Sequence, residues 1–78
     1  MTLPQADALC DHINTQTSRP KGWHAAPKLG LMPQDDGTYA GEWIAVLEHR
    51  RKRVAYLMAT REDYQQWLID SQNGEVLP

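Results

Sequence analysis

The stretch 47-LEHRRKRVAY-56 decides the fold, because it reads in two ways. As a hairpin, Leu47 and Tyr56 belong to two apolar strands, and Arg50, Arg51, Lys52 and Arg53 form a solvated tip between them. As a helix, it joins residues 42–72 into one rod, with Trp43, Leu47, Val54, Leu57 and Leu68 on a heptad grid. The polar run from Glu48 to Arg53 would break that stripe for more than a turn, whereas such a run is ordinary at a hairpin tip. Thr60 with Asp63 also has the look of an N-cap opening a fresh helix, and Glu62 and Asp63 complement the positive end of its dipole. The hairpin is therefore the preferred reading, and the long helix is its alternative.

Working outward, Thr38 to Glu48 is rich in Tyr, Trp, Ile and Val, as strands are, and Val54 to Ala59 repeats the pattern. "PQDDG", residues 33–37, predicts a turn, since Pro presets φ and Asp-Gly supplies a positive φ. The apolar segment Trp23 to Met32 before it is interrupted by Pro27 and Gly30, which predicts an irregular or edge strand. "TQTSRPKG", residues 15–22, is loop chemistry. Thr2 and Gln5 have capping-box spacing with Pro4 in the first turn, and Ala6, Leu9, Cys10 and Ile13 recur on one face. A helix is predicted over residues 3–14, with Asp7, Asp11 and Asn14 toward water. After Thr60, Tyr64, Trp67, Leu68 and Ser71 line one face of a second helix, with Asn73-Gly74 as its stop. The expected fold is α+β: one domain, 1–78, in α-β-β-β-α order, with both helices on one face of a three-stranded antiparallel sheet.

Composition narrows the function. The 78 residues carry 8 basic and 10 acidic side chains, a formal net charge of −2, which is too small for polyanion binding by the molecule as a whole. At this length a chain barely buries enough surface to fold alone, so homodimerisation is one way to complete a core. There is no Phe. Trp43 and Trp67 are expected in the core, and Trp23, after a Pro-Gly loop, is expected to be partly exposed. The lone Cys10 cannot form an intramolecular disulfide, and Met1 is followed by neither a basic segment nor a long apolar run, so a cytoplasmic protein with no membrane span is expected.

Catalytic and metal chemistry find little support. Cys10 and His12 are two residues apart on a predicted helix and point about 200° from each other, so they cannot share a proton. Cys10, His12, His24 and His49 lack zinc-site spacing. Asp35 and Asp36 sit in a turn that explains them locally, and Gly37 and Gly41 are not followed by the Lys-Thr of a phosphate loop. No catalytic residue, metal or cofactor is expected, and the protein is read as a non-enzyme.

The basic run is the best candidate site. Arg50, Arg51, Lys52 and Arg53 are half of all Lys and Arg in the chain. A second basic segment, "SRPKGW" at residues 18–23, adds Arg19, Lys21 and an aromatic, Trp23. Cations beside an aromatic suit phosphate contact and base stacking. An acidic protein surface also suits the cations, and a hairpin tip needs polar residues even where they only stay solvated.

The element order resembles that of double-stranded RNA-binding domains, and a three-stranded sheet followed by a helix is similar to the arm-binding domains of phage integrases. The first family opens its second helix with lysines that meet phosphate. Thr60-Arg61-Glu62-Asp63 stands there in this chain and would repel it, so no residue is carried over. The profile is also similar to that of small proteins that phages and mobile elements direct against host machinery, anti-CRISPR proteins among them. The expected function is stoichiometric binding to a protein partner as inhibitor, adaptor or regulator. The alternative is a DNA- or RNA-binding module using the hairpin tip and the Arg19–Trp23 loop.

Overall fold

A computed structural model describes residues 1–73. Helix α1 spans Leu3–Asn14 and opens on the predicted capping box: Thr2 Oγ1 accepts from the Gln5 amide at 3.3 Å, and Gln5 Oε1 accepts from the Thr2 amide at 2.9 Å. Strands β1 (Trp23–Pro33), β2 (Tyr39–His49) and β3 (Ala55–Met58) form one antiparallel sheet in that order. Helix α2 spans Arg61–Gln72, with Thr60 Oγ1 accepting from Asp63 N and Asp63 Oδ2 accepting from the amides of Ala59 and Thr60. The order is α-β-β-β-α, a small α+β domain. Residues 42–72 are thus not one helix, because β2 and β3 pair from Ala45↔Met58 to Glu48↔Ala55. The helical stop assigned to Asn73-Gly74 ends at Asn73, whose amide donates to Ile69 O; Gly74 lies outside the described residues.

The first turn is held by its own side chains. Gly37 adopts φ +84, and Asp36 Oδ1 accepts from the Thr38 amide at 3.0 Å and from its hydroxyl at 2.6 Å. Those bonds, the hydroxyl first, hold the Asp36 carboxyl below its ordinary range. The second turn carries the basic run, and Arg53 closes it in the left-handed region at φ +53.

One sheet face carries Trp23, Ala25, Ala45, Leu47 and Met58. All pack into a single core with Leu9, Cys10 and Ile13 of α1 and Tyr64, Trp67 and Leu68 of α2. Both helices therefore cover the same face. Among the described residues no helix is long and apolar enough to cross a membrane.

Three expectations are corrected. Trp23 is a core residue, 4% exposed, because it shares the inward side of β1 with Ala25, and the Pro20–Gly22 turn folds it under α2. Trp43 is only half-buried: β3 pairs no further than Ala45, so Trp43 lies where the sheet has narrowed to two strands, and its amide meets Met1 O instead. Asn14 does not point to water. Its side chain leaves the helix end and clamps the edge of β1, with Oδ1 accepting from Ala25 N and Nδ2 donating to Ala25 O, both at 2.8 Å. Trp67 is buried as expected.

Candidate functional site

The two basic segments meet. The β1–β2 ladder ends at Trp23↔His49, and one step beyond it the Arg50 amide donates to Gly22 O at 3.1 Å. That bond ties the α1–β1 loop to the hairpin tip. Between them lies a cleft of about 590 Å³ walled by Arg19, Pro20 and Lys21 on one side and Arg50 and Arg51 on the other. Its floor is Gly22, Trp23 and His49.

Local chemistry fixes the walls. His49 stacks edge-on against Trp23 with ring centroids 5.1 Å apart. Its Nδ1 accepts from the amides of Arg51 and Lys52 at 3.1 and 3.2 Å, so the ring that anchors the floor also holds the backbone of the tip. Gly22 is required twice. It adopts φ +92, and a Cβ there would lie 2.7 Å from His49 Nε2. On the opposite wall Arg19 Nη1 donates to Trp23 O, which folds the loop back onto the first residue of β1.

Of the predicted site residues, Arg19, Lys21, Trp23, Arg50 and Arg51 border this cleft, whereas Lys52 and Arg53 project from the tip beyond it. The aromatic role assigned to Trp23 is corrected by its burial. Wedged between His49, Tyr56 and Trp67, the indole supports the cleft from below and presents no free face for stacking a base. Sequence reasoning missed His49 and Gly22. It weighed the histidine only as a metal ligand and the glycine only as a loop former. The available signal was the register, since a ladder centred on the "PQDDG" turn puts residue 22 opposite residue 50.

Cationic walls over a floor of Gly22, Trp23 and His49 can take an anionic group. Guanidinium offers paired N–H donors that match a carboxylate or a phosphate in two-point contact, and the ammonium of Lys21 adds a less directional charge. A second hollow of about 250 Å³ lies near the N-terminus, lined mainly by Met32, Trp43, Ile44, Leu57 and Met58. Its carboxylates hold the framework: Glu42 pairs with the Met1 ammonium at 2.7 Å, and Asp63 caps α2. Among the described residues no three of His, Cys, Asp and Glu come together as a metal site would need.

Comparison with known proteins finds no matching family model, no matching curated protein and no matching solved structure.

Proposed function

We propose that the protein is a small non-enzymatic binding protein, and that it docks stoichiometrically on an acidic patch of a protein partner as an inhibitor, adaptor or regulator. The observation that carries this reading is the convergence of Arg19, Lys21, Arg50 and Arg51 on one cleft, although they come from two loops some thirty residues apart. The burial of Trp23 favours an acidic protein over a single-stranded nucleic acid, which needs aromatic faces as well as cations. A net charge of −2 also works against wrapping a polyanion.

The test uses two charge-matched variants, Arg50→Ala/Arg51→Ala in the cleft and Lys52→Ala/Arg53→Ala at the tip, each moving the formal charge from −2 to −2 − 2 = −4. Affinity capture identifies the partner, and titration at two salt concentrations compares the variants. The cleft variant should lose at least about tenfold in affinity, as truncating a paired interface charge does, and the tip variant much less. Equal losses would mean that charge alone matters and the cleft is not the site. If the captured species is a nucleic acid, with log affinity falling by about 0.9 per phosphate against log salt, the protein-partner reading is wrong.

A further inference from the structure

The outer edge of β1 has a pattern that the cleft does not use. Even-numbered residues of β1 turn their amides toward β2, as shown where Gln34 N continues the ladder by donating to Thr38 O and Arg50 N donates to Gly22 O. Odd-numbered residues therefore face outward. Most of those positions are closed: Trp23 by Pro20 O and the Arg19 guanidinium, Ala25 by the Asn14 clamp, and Pro27 and Pro33 by having no amide hydrogen. Leu29 and Leu31 stay open, with no partner for their amides among the described residues.

The open window is symmetric. "PKLGLMP", residues 27–33, reads nearly the same in both directions about Gly30, with Pro at both ends and Leu on both sides of the centre. Its side chains are also unusually bare for their type, Leu29 being 61% and Leu31 72% exposed. Natural edge strands are normally guarded by charge or proline. Here the prolines guard the ends and leave two leucines between them. Lys28 is no guard, since it points to the helix-free face and pairs with Glu48 at 3.3 Å.

We infer that β1 pairs with β1 of a second copy of this chain, antiparallel and about a two-fold axis through Gly30. In that register Leu29 faces Leu31 of the second copy, and each pair exchanges two backbone hydrogen bonds, making four across the interface. Pro27 then faces Pro33 of the second copy, so pairing stops where no donor remains. A slip of two residues in either direction brings a proline ring against a leucine carbonyl. Lys28 meets Met32, so no like charges abut. The two sheets become one of six strands, the most symmetric use of a single edge. The helices stay apart, because α1 holds β1 at Ala25, five residues and so about 16 Å along the strand from the axis. The leucines then fill the space between the two helical layers.

A five-residue strand pair buries less than the roughly 800 Å² per partner of a standard interface, so the dimer should be weak, with Kd on the order of 0.1 mM. Sedimentation equilibrium from about 10 μM to about 1 mM, spanning that value, should show the mass rising from 8.9 kDa toward twice that value. Leu31→Pro, which removes an outward donor and no bond to β2, should hold it at the monomer value. Cross-linking provides a second readout that does not depend on how that variant folds. Gly30→Cys places two thiols across the axis with Cα atoms about 4.5 Å apart, within disulfide range. The added Cβ meets chiefly the Cδ1 end of the Ile44 side chain, at 2.9 Å, which must shift to admit it. The variant should cross-link on mild oxidation, whereas Asp35→Cys, more exposed in the turn but off the proposed axis, should do so far more slowly, and the buried Cys10 stays inert in both. Wild type that stays monomeric at every concentration, a Leu31→Pro variant that still dimerises, or a Gly30→Cys variant that cross-links no faster than Asp35→Cys would each overturn the inference.

Discussion

Exchanging Trp23 for Ala tests the core and the cleft floor together. The indole is 4% exposed and packs with ring centroids 4.9 Å from Trp67, 5.1 Å from His49 and 5.8 Å from Tyr56. Truncation removes roughly 150 Å² of buried surface, and at about 25 cal/mol per Å² the loss is about 4 kcal/mol before any cavity term. That falls within the roughly 3–5 kcal/mol found for buried Trp→Ala changes. A domain of this length holds about 4–12 kcal/mol in all, so the variant should lose a third or more of its stability. The midpoint of thermal unfolding should drop by on the order of 20 °C. Trp43→Ala provides the contrast. Its side chain is half-buried on the two-stranded part of the sheet, and the expected loss is about 1–2 kcal/mol. Urea titration followed by circular dichroism measures both, independently of the fluorescence that each substitution changes. A Trp43→Ala variant that is as unstable as Trp23→Ala, or more so, would refute the burial pattern from which the cleft floor was argued.

Three further outcomes follow from particular contacts. Gly22→Ala forces a side chain into φ +92 and against His49, so the urea midpoint should fall by an amount equivalent to about 1–3 kcal/mol; an unchanged midpoint would mean the floor is not held as described. Asn14→Ala strips the clamp from β1 and should cost about 1–2 kcal/mol while speeding hydrogen exchange at the Ala25 amide, and unaltered exchange there would count against the clamp. Burial, then the charges of Asp7 and Asp11, push the Cys10 thiol up, and burial does the same to the Tyr64 phenol. Both groups stay neutral in the folded chain at a pH where the unfolded chain has begun to ionise, so the unfolded state binds fewer protons and stability must fall as pH rises. It should be fully present below the ordinary thiol range and decline as pH climbs through the raised folded values. A melting midpoint that holds steady or rises into the alkaline range would contradict this sign.

How much of this could be read beforehand depends on the range of the interaction that decides each feature. The helix starts were legible because Thr2 with Gln5 and Thr60 with Asp63 complete their capping within four residues, and the first turn because Asp36 bonds to Thr38. The tryptophans were misjudged for the opposite reason. Whether a strand residue is buried depends on what lies over it, and β3, which ends at Met58, leaves Trp43 uncovered, while α2, arriving from the far end of the chain, covers Trp23. Asn14 likewise shows nothing in its own neighbourhood that would send it across to Ala25. The cleft is an intermediate case. Its two basic segments were visible by composition, and their meeting followed from the turn alone, because the numbers of paired residues in the first hairpin always total 72, twice the position of Asp36. That sum places Gly22 opposite Arg50 and so brings the "SRPKGW" loop against the arginine run before any side-chain packing is considered. The site is thus a consequence of strand length as much as of charge. A two-residue insertion in the "PQDDG" turn would move the arginines two positions along the chain and still keep their pairing with the loop. A two-residue deletion within β1 would slide the loop off the arginines and abolish the cleft.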